Sequence, residues 1–285
     1  MDEKTLKELL HAIGKERGIQ FNVCRKQFFL ERFLVRLTHS PHANKFIFKG
    51  GFLLSYMMEI GRETTDLDFL LTRMKAEKKN LQRAFEEIAS VPSHDGVVFS
   101  FDTIELLSQP HMEYPGYRTN LQTAFGTIKD RIQIDLGIGD VVNPQQQELQ
   151  LFQHKGKSFF EETISLLVYP PETIFAEKLE TVLLKSFGNT RMKDYHDLLL
   201  LIREKKLPDR QKLSEAILKT FSHRGTRLRS IQFPKAGINL LQKNWAKHLK
   251  DLEETSATNL HFPKEISSVI EEINRFYNPL SSRKK

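Results

Sequence analysis

The 285-residue chain holds a single cysteine, Cys24. One thiol cannot close an internal disulfide and has no partner for a cysteine-rich zinc cluster, so a reducing compartment fits best. The histidines contain no H-x-x-x-H pair and the chain contains no G-x-x-x-x-G-K-[ST] loop, which sets aside zinc-hydrolase and P-loop chemistry. No apolar run approaches the roughly 18 residues that a membrane span needs. Met1 to Gly14 is charged and amphipathic, unlike the apolar core and small-residue cleavage site of a secretory signal. The expectation is a soluble, cytoplasmic protein with no membrane partner. Internal repeats are absent, and low complexity is confined to the short tail from Ser281 to Lys285.

With 39% hydrophobic and 28% charged residues the chain can bury a real core. Two domains are expected, 1–168 and 169–285. In the first, Thr5 to Thr38 carries apolar residues at helical spacing and reads as two helices. A brief strand at Phe46 to Phe48 then runs through Lys49, Gly50 and Gly51 into a short buried helix ending near Ile60. Asp66 to Leu71 reads as a strand and Lys75 to Ser90 as a helix over it. Further strands are expected at Val97 to Leu107, Arg118 to Phe125 and Arg131 to Ile138. Beyond Tyr169 the strand signals stop. Pro170 and Pro171 open a long helix reaching Phe187, and helices are expected over Lys193 to Glu204, Gln211 to Phe221, Ile238 to Leu252 and Pro263 to Phe276. The fold class is therefore α+β: a mixed sheet with N-terminal helices, followed by a helical C-terminal domain.

Charge is unevenly spread. Leu183 to Lys250 holds 16 Lys+Arg against 5 Asp+Glu, a surplus larger than the whole chain's +7. That half suits a polyanion such as RNA; solvated helix faces are the alternative. Ser222 to Arg229 is a basic loop that reads either as an RNA contact or as a surface connection.

The chemistry concentrates between Lys49 and Phe69. Side chains on a strand alternate between faces, so Asp66 and Asp68 share one face while Leu67 and Phe69 take the other. Neighbouring carboxylates repel unless a positive charge sits between them, and magnesium, a hard cation that takes carboxylate and phosphate oxygens, supplies it. Asp135, inside Ile132-Gln133-Ile134-Asp135-Leu136, is an acid where an apolar residue would be expected and is the natural third ligand. Three such acids could hold two metal ions roughly 3.5 to 4 Å apart for in-line displacement at phosphorus. Mg2+ is expected, with Mn2+ able to replace it. The Gly50-Gly51 turn lets backbone N–H groups and a helix N-terminus approach a phosphate.

Lys49-Gly50-Gly51, Arg62 through Phe69, Glu177-Lys178-Leu179 and Arg191 through Leu198 together resemble the AbiEii/AbiGii toxin family of polymerase-beta-like nucleotidyltransferases. The resemblance spans roughly residues 45 to 200. It implies a nucleotidyltransferase core in which Gly50, Gly51, Asp66 and Asp68 bind metal and triphosphate, while Lys178 and Asp194 complete the site. Lys49, Arg62, Arg191 and Lys193 join the nucleotide-binding set, and Asp197 is a further candidate. It also implies a toxin with a cognate antitoxin, and a tRNA 3′ end as acceptor for the nucleoside monophosphate of a nucleoside triphosphate. One departure stands out: Phe52, Leu53 and Leu54 follow the glycines where such turns carry Ser or Thr, and Ser55 lies a turn further on.

Several readings stay open at this level. Lys178 sits on a largely apolar helix stripe and could meet a triphosphate or extend to water. Asp194 and Asp197, three residues apart beside Arg191 and Lys193, fit helix-surface ion pairing equally well. His196 reads as a catalytic base or as a buried, hydrogen-bonded histidine. The acceptor could instead be a protein or a small molecule, or the chain could be a non-catalytic RNA- or protein-binding module.

Overall fold

The computed structural model describes residues 1–107, 116–255 and 260–281. The chain divides into two compact units. The first comprises 1–59, 63–140 and 144–169; the second comprises 60–62, 141–143 and 170–285. The tail beyond Ser281 lies outside the described residues.

The first unit opens with two helices, α1 (Glu3–Arg17) and α2 (Phe21–Thr38). Asp2 caps α1 by accepting the Thr5 N–H at 2.8 Å, which satisfies one of the donors a helix start leaves unpaired. The sheet is built from β1 (Phe46–Lys49), β2 (Asp66–Leu71), β3 (Val97–Leu107), β4 (Gly116–Phe125), β5 (Ile128–Ile138), β6 (Gln145–Gln150) and β9 (Thr163–Val168). Their spatial order is β3-β4-β5-β2-β1-β9-β6, and a small hairpin of β7 (Gln153–His154) and β8 (Lys157–Ser158) stands apart. β2 runs parallel to β5 and β1 parallel to β9; the other neighbours are antiparallel. The mixed sheet matches expectation, whereas β6 and β9 lie outside the strands expected from the sequence. β6 is three glutamines followed by Glu148, Leu149 and Gln150, with Leu149 its one buried side chain, and such an edge strand carries almost no alternation to read.

α3 (Gly50–Met57) and α4 (Lys78–Ala89) complete this unit. One sheet face buries Phe46, Phe48, Leu67, Phe69, Ile132, Ile134 and Leu136. Edge-on ring contacts of Phe46 with Phe69 and Phe85, and of Phe33 with Phe99, tie that face to α4 and α2. Because the alternation is strict, the same packing turns Asp66, Asp68 and Asp135 to the opposite face.

Buried charge on α2 is compensated locally. Arg36 grips both oxygens of Asp95 at 2.7 Å, and Arg32 adds a third contact at 2.8 Å. Glu31 is different: it accepts the Phe152 N–H at 2.7 Å, and burial pushes its carboxyl up from 4.5 to about 8, with Arg32 opposing. Between those two values the folded protein binds more protons than the unfolded chain, so stability falls as pH rises through that window. Glu31→Gln is expected to flatten this decline, and thermal denaturation of both proteins across the window checks it; parallel slopes would show that Glu31 does not titrate this way.

The second unit is helical: α5 (Pro171–Lys185), a 3-10 turn at Ser186–Gly188, α6 (Met192–Arg203), α7 (Arg210–His223), α8 (Lys235–Thr255) and α9 (Ile266–Ser281). Pro171 occupies the first helical position of α5, where the missing N–H costs nothing. Asp209 caps α7 by accepting the N–H groups of Gln211 and Lys212, both at 3.0 Å. Trp245, fully buried, donates its indole N–H to the Pro263 carbonyl at 2.9 Å. No helix among the described residues is long and apolar enough to cross a membrane.

Candidate active site

In the first unit the register lines four charged residues across four adjacent strands. Lys49 on β1 is the cross-strand partner of Asp68 on β2, Asp68 of Asp135 on β5, and Asp135 of Arg118 on β4. The neighbouring row is polar: Asp66, Gln133, Asn120 and Thr103. All three acids are partly exposed and share one face, with Leu67, Phe69, Ile134 and Leu136 packed into the core behind them.

The glycine turn holds one of these acids directly. Gly50 has φ +81°, and a Cβ built on it would lie 2.0 Å from Asp68 Oδ2. The backbone angle and the space are therefore both taken up by the absence of a side chain. Gly50→Ala is expected to destabilise the fold by about 1–3 kcal/mol through backbone strain and to push the Asp68 carboxylate out of place; a melting temperature equal to wild type would contradict this. α3 starts at this turn, and Lys49 at its N-cap makes no side-chain cap bond; a helix start is the end that favours an anion. Ser55 cannot substitute for the missing hydroxyl after the glycines, since its Oγ donates to the Phe52 carbonyl at 2.7 Å.

The positive ends of the row differ. The Lys49 ammonium lies 3.4 Å from Asp140 Oδ2 and 4.9 Å from the centre of the Tyr169 ring. Arg118 forks onto Asp135, Nε to Oδ1 at 2.8 Å and Nη2 to Oδ2 at 2.7 Å. The hydrogen-bonded Asp135 raises the Arg118 pKa above its ordinary value against a smaller effect of burial, and Asp66 and Asp68 add to the attraction. Among the described residues no three His, Cys, Asp or Glu side chains come close enough together to hold a metal ion. The donor chemistry nevertheless suits magnesium: hard carboxylate oxygens on adjacent strands, on one face.

The remaining candidates gather in the second unit. Arg62 forks onto Asp197 at 2.9 and 2.8 Å. The Lys178 ammonium bridges Asp197 at 2.7 Å and Asp194 at 3.2 Å, and Arg191 reaches Asp194 at 3.4 Å. Asp194 and Asp197 are 2% and 0% exposed; Asp194 keeps one pair within its own helix face, with Arg191 three residues earlier, whereas both partners of Asp197 are distant in sequence. Burial works against both charged forms, yet Lys178 and Arg62 hold Asp197 well below the usual carboxylate range, and Asp197 with Asp194 keeps Lys178 above the ordinary lysine value. Lys193 is exposed on the first turn of α6.

His196 is fully buried. Its Nε2 lies 2.7 Å from the Ile60 carbonyl and its Nδ1 3.0 Å from His248 Nε2. A carbonyl only accepts, so Nε2 carries the proton and Nδ1 accepts from His248. Burial depresses its pKa to about 4; of the two readings open for it, the buried, hydrogen-bonded histidine is the one seen. In the basic loop Arg224 is neutralised by Glu177 at 3.2 Å and Glu180 at 2.9 Å, while Arg227 and Arg229 are exposed.

Sequence reasoning missed Arg118 and Asp140. A lone arginine in a polar strand has no periodic signal, although a third acid on a packed strand should have prompted a search for its counter-charge.

Residues 32–271 match the sequence model of a family described as the nucleotidyl transferase AbiEii toxin of type IV toxin–antitoxin systems. No curated protein matches the chain by sequence. Among solved structures it is similar to an H. pylori protein assigned as a nucleotidyltransferase, at 16% identity and a TM-score of 0.45 over 89% of this chain and 97% of that one. It is also similar to JHP933 from Helicobacter pylori, at 14% identity and a TM-score of 0.46 over 92% and 96%.

Proposed function

The chain belongs to the AbiEii nucleotidyl transferase toxin family, and from that premise we propose that it moves a nucleoside monophosphate from a nucleoside triphosphate to an acceptor hydroxyl, which attacks the α-phosphorus as pyrophosphate leaves, with a tRNA 3′ end as the preferred acceptor. The observation that carries this reading is the row Lys49, Asp68, Asp135 and Arg118 across four strands, with Asp66 on the same face. Asp66, Asp68 and Asp135 would hold Mg2+, two ions when fully loaded, with Mn2+ able to replace it. Bound there, the metal supplies Lewis-acid stabilisation of charge at phosphorus.

The chain's own residues do the rest. The Gly50-Gly51 turn and the start of α3 present backbone N–H groups to a phosphate. Lys49 sits in register with Asp68 and adds positive charge to that face. Asp135 is the acid assigned to the acceptor hydroxyl, whose proton it accepts once its guanidinium partner has moved. By family likeness Lys178, Arg62, Arg191 and Lys193 are assigned to nucleotide binding, and Asp194 to the catalytic set. The basic surplus of the C-terminal half favours RNA as acceptor and polyanion partner, and family membership supports a cognate antitoxin protein as a second partner.

The test is incubation with each of the four nucleoside triphosphates labelled at the α-phosphorus, in the presence of Mg2+, with RNA and protein pools separated afterwards. Label at RNA 3′ ends is expected. Label on protein alone would overturn the tRNA assignment, and label in neither pool would favour the non-catalytic binding module.

A further inference from the structure

We propose that Arg118 is the resident counter-charge of the acid row and a gate on it: a divalent cation gains Asp135 only by displacing the guanidinium that now grips both of its oxygens. The inference rests on the proposed metal-binding role of Asp66, Asp68 and Asp135.

Three observations carry it. The fork is bidentate, at 2.8 and 2.7 Å, and links residues directly opposite each other on antiparallel strands, so the backbone itself fixes the pair. Asp66 and Asp68 add a weaker attraction to the one that Asp135 dominates, so the guanidinium's charge bears on the whole acid face. Its side chain is 38% exposed and that of Asp135 is 21% exposed, which leaves room for the arginine to swing out without unpacking the core.

A forked guanidinium engages a carboxylate in the plane where a metal would also bind, and a cation entering beside it meets a like charge. Metal and Arg118 therefore compete. Arg118 acts on the ligand set and not on reacting atoms, which makes it a positioning residue. Lysine lacks the fork, so it would keep the charge and lose the grip.

The experiment measures Mn2+ affinity of the full chain by electron paramagnetic resonance or calorimetry, with no nucleotide present, for wild type, Arg118→Met, Arg118→Lys and Asp68→Asn. Arg118→Met is expected to bind Mn2+ about tenfold more tightly, roughly 1.4 kcal/mol, and Arg118→Lys to fall between it and wild type. Circular dichroism establishes folding; should Arg118→Met not fold, the lysine variant decides alone, tighter binding supporting the gate. Affinity unchanged or weakened in the folded arginine variants overturns it. Asp68→Asn separates the two levels: it should lose Mn2+ binding, and if it binds like wild type the metal assignment itself fails whatever Arg118 does.

Discussion

Asp68→Asn is expected to lower nucleotide transfer by about three orders of magnitude while changing thermal stability little. A metal held by this side chain contributes several kcal/mol to the transition state, and each 1.36 kcal/mol corresponds to about a factor of ten in rate. Asparagine keeps the shape that fits over Gly50, where a Cβ would come within 2.0 Å of the carboxylate, and it removes one of two like charges on β2. The substitution therefore separates chemistry from folding. Single-turnover transfer with an α-labelled triphosphate measures the first, and melting curves the second; toxicity in a producing cell should disappear in parallel. An Asp68→Asn protein that transfers nucleotide at the wild-type rate would remove the acid row from the mechanism.

Asp197→Ala is expected to have the largest effect on stability. Asp197 is fully buried and takes a fork from Arg62 and the Lys178 ammonium at 2.7 Å. Deleting it leaves two positive charges that are only 11% and 13% exposed facing each other. Breaking a buried pair from one side costs about 3–5 kcal/mol, a fall on the order of 10 °C in melting temperature for a domain of this size. Asp194→Ala should cost less, because its contacts with Lys178 and Arg191 are longer, at 3.2 and 3.4 Å. Differential scanning calorimetry of the two variants ranks them, and an Asp197→Ala protein as stable as wild type would show that the network is not structural.

The same network sets the direction of acid sensitivity. A carboxylate whose folded pKa is depressed gives stability that is present above its unfolded value and lost as pH falls through the folded one, so Asp197 protects the fold above about 3.8 and stops doing so in stronger acid. His196, kept neutral by burial with a folded value of about 4 against 6.5 unfolded, loses stability earlier, as pH falls between those two values.

Much of this is legible in the sequence. Asp66 and Asp68 stand out because a two-residue period must put them on one face; Asp135, expected to interrupt an apolar strand, instead falls at a regular position on the face opposite the buried Ile134 and Leu136. The buried helix α2 follows from apolar spacing, and α5 and α6 from helical pattern together with their proline and glycine boundaries. What escaped was long-range. Arg62 finds Asp197 across 135 residues of sequence, and nothing local in Gly61-Arg62-Glu63 signals that partner. Likewise 60–62 and 141–143 belong with the helical unit although their neighbours in sequence belong with the sheet. Arg118 escaped for another reason: its role depends on the register of β4 against β5, which alternation cannot supply.

The most direct test of the central claim is anomalous scattering from crystals of the protein soaked with Mn2+. A peak at coordination distance from Asp66 and Asp68, with Asp135 turned from Arg118 toward it, is the predicted result. Manganese bound elsewhere, with the Arg118–Asp135 fork intact and no peak at the β2 acids, would contradict it.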